Sequence, residues 1–185
     1  MEGVNLIFPK LIFNGKELIG ECVDKSSRRL FELQDIFEDK LAIQNMDLKQ
    51  EIYNVSSVLP VKEGTTGGLF MGITCLMPGK VGNEYFMTKG HFHSNVDRAE
   101  FYWGVEGEGA LILMNEARDV WVERMFPGSL HYIPGGVAHR VANIGKKVLT
   151  FAACWPSDAG HNYEIIAQHG FAHRLKEING KPQLV

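Results

Sequence analysis

The sequence is short of cysteine, of basic clusters and of long apolar runs, and each shortage removes a class of protein. Its three cysteines, Cys22, Cys75 and Cys154, are odd in number and far apart in the 185 residues. They form neither a disulfide framework nor a CxxC metal knuckle. Cys75 and Cys154 sit in apolar runs, which predicts buried thiols in a reducing compartment. Net charge is −3, and the densest basic stretch, KSSRRL, holds only Lys25, Arg28 and Arg29. Nucleic acid needs a clustered basic face, so it is not an expected partner, and KSSRRL reads as solvated surface ahead of an anion site. No window approaches the roughly 18 apolar residues of a membrane span. The opening MEGVNLIFPKLIFNGKE begins acidic and is interrupted by Asn5, Pro9 and Lys10, unlike a signal peptide. No membrane partner and a cytoplasmic location are the expectations. A glycine-rich phosphate loop is missing too, so any phosphate must be held by other means.

What is present is ordinary globular composition, 45% hydrophobic and 22% charged. The length predicts a single domain over residues 1–185, at about 150 residues per domain. Residues 1–60 read as an N-terminal extension, about 67–155 as the core, and 156–185 as a C-terminal loop, short helix and tail or hairpin. The stretch SSRRLFELQDIFEDKLAIQ predicts a helix, with Leu30, Leu33, Phe37 and Leu41 near a 3.6-residue period behind capping serines. From Gly67 onward, short apolar runs alternate with Gly, Pro and Asn: LFMGITCLM, EYFMT, EFYWGVE, GEGALILM, VWVERM, LHYIP, AHRVAN, VLTFAACW. Such spacing predicts an antiparallel sandwich or barrel. The glycines of GVEGEGA suit a tight hairpin.

The chemistry concentrates in TKGHFHSNVDRAEFY. Residues i and i+2 of a strand share a face, so His91 and His93 project together while Phe92 points away. Two such imidazoles can converge on one cation, each at about 2.0–2.1 Å. Glu100 follows after six intervening residues and can add an oxygen ligand or a base. A second segment, GSLHYIPGGVAHRVAN, places a PGG turn before a strand that would carry His139 back inside. Three imidazoles and a carboxylate make a mixed set suited to Fe, Mn, Ni or Zn. Buried histidines bonded to backbone are the alternative. His131, His169 and His173 read as structural or surface residues, and Trp103 and Trp121 as core or interface aromatics.

The spacing from Gly128 through Pro134, Gly136 and His139 to Asn143 matches the second cupin motif. HFHSNVDRAEFYWGVEG resembles the first, with Gly107 in place. It departs where Tyr85 replaces a glycine and where six residues, not three or four, precede Glu100. Together with PGKVGNEYFMTKG and DAGHNY, the sequence resembles the cupin-type phosphoglucose isomerases known best from archaea. The resemblance implies an all-β cupin (double-stranded β-helix, or jelly-roll) barrel with an N-terminal helical and strand extension.

It further implies that His91, His93, Glu100 and His139 bind one divalent metal ion per subunit, Fe or Mn ahead of Ni or Zn. The implied substrate is a phosphorylated hexose, glucose 6-phosphate interconverted with fructose 6-phosphate. Residues matching Tyr53, Thr74, Thr88 and Gly90 would gather around the phosphate, while alternation along a strand would turn Lys89 away. Tyr102 shares a face with Glu100 and can reach sugar hydroxyls. His161 and Tyr163 match pocket positions, His161 as a group able to assist ring opening and Glu100 as the proton carrier. Trp155 stands where a tyrosine is expected, which removes one hydroxyl from the site. Rival readings are another cupin metalloenzyme, such as an Fe or Mn dioxygenase or oxidase, and a non-catalytic sugar-binding cupin. The extension can exchange strands with a second subunit, so a homodimer is expected.

Overall fold

The computed structural model describes residues 6–185. A two-stranded ribbon comes first, β1 (Leu11–Phe13) and β2 (Leu18–Gly20). β3 (Val23–Arg29) leads into α1 (Leu30–Leu33), a 3-10 turn at Gln34–Ile36 and α2 (Lys40–Gln44). Then come β4 (Glu51–Val58), β5 (Leu69–Leu76), β6 (Lys80–Val81) and β7 (Glu84–Tyr85). The central block holds β8 (Glu100–Glu106), β9 (Gly109–Met114), β10 (Val120–Met125), β11 (Leu130–Ile133), β12 (Ala138–Asn143) and β13 (Leu149–Pro156). α3 (Glu164–His169), β14 (Leu175–Ile178) and β15 (Lys181–Leu184) finish the chain.

The continuous helix expected from Ser26 to Gln44 is broken. Ser26 and Ser27 are not caps: they lie in β3, whose backbone pairs with β4. Helix restarts only at Asp39, whose carboxylate accepts the Ala42 N–H at 2.8 Å. Leu30, Leu33 and Phe37 are buried as their period requires, but Leu41 is 73% exposed and Ile43 turns inward instead.

A six-stranded antiparallel sheet runs β11-β8-β13-β5-β4-β3 and faces a smaller one, β10-β9-β12. The segment Met87–Phe92 lies beside β12, bridging Met87 to Ala142 and His91 to His139. Leu76, Phe86, Leu111, Leu113 and Ile133 fill the space between. This is the all-β cupin barrel. β3 and β4, from the stretch read as an extension, lengthen the larger sheet. The hairpin expected at GVEGEGA does not form, because β8 and β9 belong to different sheets. The glycines serve a crossover: Gly107 has φ +85, and a Cβ there would lie 2.6 Å from the Val148 carbonyl oxygen.

β12 is buried on both faces, and Phe171, just beyond α3, packs on its outside. Its outward Arg140 lies beneath Phe171, 4.1 Å from the ring centroid, and donates to the Lys89 carbonyl at 3.0 Å. The terminal hairpin β14–β15 turns on Asn179 and Gly180, both at positive φ (52° and 73°). Cys75 and Cys154 are only partly buried, and Cys22 is exposed, because the apolar runs carrying the first two end near the sheet surface. Among the described residues no helix is long and apolar enough to cross a membrane.

Candidate metal centre and adjoining cavity

Glu100 opens β8, His139 lies in β12 of the opposite sheet, and His91 pairs with His139 through a backbone bridge. Two sheets and one connecting segment thus supply four donors that lie within 4.8 Å of one another. Bonds of about 2.1 Å around one ion set separations of roughly 3–4 Å, so the cluster is close to ligation geometry. Glu100 Oε1 stands 2.5 Å from His139 Nε2 and 3.2 Å from His93 Nε2. The His91 ring is 4.4 Å from that of His139 and 5.7 Å from that of His93.

The outer nitrogens are tied to backbone. The Arg98 carbonyl accepts from His93 Nδ1 at 2.7 Å, and the Val137 carbonyl accepts from His139 Nδ1 at 3.1 Å. A carbonyl can only accept, so both Nδ1 atoms carry the proton and both Nε2 lone pairs face inward. His91 Nε2, Glu100 Oε1 and His139 Nε2 are buried without a hydrogen-bond partner. Three unsatisfied buried atoms at one spot are costly unless something occupies the point between them. The donor set therefore fits a divalent cation. Burial, then the neighbouring His139, His161 and His93, holds His91 well below the usual imidazole range. Burial opposes ionisation of Glu100, yet His139 and His93 outweigh it and bring its carboxyl to about 2. A neutral His91 beside an ionised Glu100 matches the protonation that ligation requires, while Glu100 in turn raises His93 against its burial.

The cluster opens on a cavity of about 480 Å³, whose walls include His91, Glu100 and His139. All of the sugar- and phosphate-contact candidates line it: Tyr53, Thr74, Thr88, Gly90, Tyr102, Trp155 and Tyr163, with His161 beside them. His93 alone of the sequence candidates is outside this wall, held behind it against Arg98. Thr88 Oγ1 accepts the Val141 N–H at 3.0 Å, which leaves its own O–H free to donate inward. Gly90 has φ +79, and any Cβ would lie 2.8 Å from Arg140 Nε. Burial raises the Tyr53 phenol to about 12 and raises Tyr102 well above its usual range, so both are donors at neutral pH. His161 stacks on Tyr163 with centroids 5.8 Å apart and lies 4.5 Å from His91. Burial lowers its pKa. The Trp155 indole lies over Gly72, where a Cβ would meet the ring at 3.2 Å.

Two wall residues run against the sequence expectations. Arg28, read as solvated surface ahead of an anion site, is exposed yet also lines the cavity, where β3 pairs it with Tyr53. Lys89 lines it as well, with Nζ 4.7 Å over the Tyr163 ring. Residues 88–90 are not regular strand, so alternation does not send Thr88 and Lys89 to opposite sides. Glu63 and Ser157 also face the cavity. Pairing of β3 with β4 would have signalled Arg28, had the helix signal not masked it. His131 is structural as expected, bonded to Glu123 at 2.6 Å and Ser129 at 2.9 Å.

Fold and donor set together define a cupin with a candidate metal centre. A family profile described as glucose-6-phosphate isomerase (GPI) matches residues 27–183. The glucose-6-phosphate isomerase of Thermococcus litoralis is 41% identical over 163 residues, 87% of this chain and 85% of that protein. The Pyrococcus furiosus protein of the same name is 40% identical over 168 residues, 89% and 87% of the two chains. A putative glucose-6-phosphate isomerase 1 from Rhizobium meliloti is 37% identical over 77% of this chain and 67% of its own. Among solved structures, Bacillus subtilis oxalate decarboxylase superposes with TM-score 0.48 at 17% identity, over 65% of this chain and 29% of that one. The chain belongs to the glucose-6-phosphate isomerase family.

Proposed function

We propose that this protein is an isomerase interconverting glucose 6-phosphate and fructose 6-phosphate, with His91, His93, Glu100 and His139 holding one divalent ion, Fe or Mn ahead of Ni or Zn. The observation that carries the reading is the buried, unsatisfied three-imidazole and carboxylate cluster opening on a cavity with hydroxyl and cationic groups at its wall. When bound, the ion supplies Lewis-acid stabilisation of negative charge on the substrate oxygens.

The chain's own residues do the rest. Hydroxyls of Tyr53, Thr74 and Thr88 and the Gly90 N–H donate to the phosphoryl oxygens, and Arg28 and Lys89 bring positive charge to the same wall. Tyr102, two residues beyond Glu100 and 5.6 Å from the His139 ring, holds sugar hydroxyls in register. His161, its pKa lowered by burial, takes a proton from the anomeric hydroxyl and returns it to the ring oxygen as the bond from that oxygen to the anomeric carbon breaks. Glu100 carries the proton between C2 and C1. A carboxylate bound to a cation is a poorer base than a free one, which leaves a second route in which hydrogen passes from one carbon to the other with its electrons. Glu100 is then a ligand only.

The assembly we infer is a homodimer in the cytoplasm. Phe101, Leu130 and Tyr132 are 44%, 66% and 57% exposed on β8 and the edge strand β11, an apolar face suited to a second copy. Isomerisation by metal-stripped and metal-restored protein tests the enzymatic reading, and light scattering tests the dimer.

A further inference from the structure

The six residues between His93 and Glu100 form a loop that touches both of the other segments around the centre. On one side, Asn95 N–H donates to the Ala159 carbonyl at 2.9 Å, and Gly160 lies so close that a Cβ would meet Ser94 Cβ at 2.9 Å. On the other, the turn before His139 abuts it: a Cβ on Gly135 would lie 2.2 Å from the Val96 carbonyl oxygen. At the middle stands Arg98. Its carbonyl accepts from His93 Nδ1 at 2.7 Å, and its guanidinium grips Asp158 with two bonds, Nε–Oδ1 at 2.9 Å and Nη2–Oδ2 at 2.8 Å. Asp158 begins the turn that carries His161 to the cavity.

We propose that Arg98 is a positioning residue for the metal centre: clamped by Asp158, it holds the carbonyl that sets the tautomer and orientation of His93. The inference rests on the metal reading above. A ligand imidazole whose second nitrogen donates to a fixed acceptor presents its lone pair at a defined point, and loss of such a partner typically weakens metal binding by about 10- to 100-fold. Arginine is required for the clamp because its planar fork meets both carboxylate oxygens, which a lysine ammonium cannot. The longer spacing between His93 and Glu100 thereby acquires a use. It makes room for a residue that ties one ligand to the neighbouring turn.

The test is Co(II) binding to the full chain, by competition with a chelator and by the intensity of the visible absorption bands, in wild type, Arg98→Lys, Arg98→Ala, Asp158→Asn and the Arg98→Ala/Asp158→Asn pair. Thermal midpoints of the metal-free proteins run in parallel, since a purely structural role would lower the midpoint and leave affinity alone. The expected result is binding weaker by up to about 10-fold in each single variant, the low end for loss of a ligand's partner because the carbonyl itself remains, with altered absorption, Arg98→Lys included. The double variant should be no weaker than Arg98→Ala alone, because both changes break one link. Asp158→Asn, which preserves side-chain size, carries the test should Arg98→Ala fail to fold. Wild-type affinity and spectrum in a folded Asp158→Asn or Arg98→Lys would overturn the positioning role. A wild-type chain that takes up no Co(II) would instead overturn the metal reading beneath it, and the two failures are thus distinct.

Discussion

His139 Nε2 and Glu100 Oε1 lie 2.5 Å apart, yet neither atom has a hydrogen-bond partner. The two groups approach from opposite sheets, each aimed at a shared point and not at the other. Such an arrangement is expensive for an empty core and cheap for a ligated one. Under the proposed metal reading, changing either side chain acts on ion affinity as well as on turnover.

Glu100→Gln keeps the shape of the side chain and removes its charge. With Glu100 as proton carrier, turnover falls by about 10²- to 10⁴-fold in protein whose metal content is matched to wild type. Metal analysis beside steady-state kinetics checks this. Near-normal turnover at full occupancy would leave Glu100 as a ligand and assign the hydrogen transfer to the direct route.

Arg28 and Lys89 should govern affinity for the phosphoryl group and leave the chemical step alone. Replacing either by Gln is expected to raise KM for fructose 6-phosphate about tenfold with kcat little changed, since a charge-assisted contact contributes ~1.5 kcal/mol or more. Inhibition by inorganic phosphate should weaken in parallel. Unaltered phosphate inhibition in both variants would remove these cations from the site.

Gly72 makes room for Trp155, and a methyl group there would press on the indole from 3.2 Å. Gly72→Ala should push the ring toward the cavity and raise KM several-fold, with the melting temperature nearly constant. Gly72→Ala combined with Trp155→Tyr should recover much of the loss. Kinetics on the two variants beside wild type decide the matter.

One surface pair makes stability depend on pH in a stated direction. Glu177 bonds Lys80 at 2.5 Å and Tyr85 at 3.3 Å, and the Lys80 bond holds its carboxyl below the usual range. A carboxyl depressed in the folded state binds its proton more tightly when unfolded. Its contribution is therefore present above the unfolded pKa, about 4.3, and disappears as pH falls through the lower folded value. Wild type should melt above Glu177→Gln at pH 7, with the gap closing below pH ~4. A gap that persists unchanged at pH 3 would contradict the pairing.

Much of this was legible in the sequence, for a physical reason. His91 and His93 are marked by an i, i+2 spacing that an extended chain converts into a shared face, and Glu100 and His139 by the cupin-like motifs, with their glycines and prolines, that surround them. The misread parts depend on long-range pairing. SSRR is strand because β4 lies beside it, although its neighbours favour helix. GVEGEGA crosses between sheets because β8 and β9 find other partners, although its glycines would serve a hairpin equally well. Arg28 reaches the cavity only through the same unforeseen β3–β4 pairing. Lys89 does so because residues 88–90 leave the strand geometry that alternation assumes.

The central claim is tested most directly by one assay: conversion of fructose 6-phosphate by chelator-stripped protein, certified metal-free by elemental analysis, before and after addition of Fe(II) or Mn(II). Activity that vanishes on stripping and returns with the ion is the predicted outcome. Full turnover by the certified metal-free chain would contradict it.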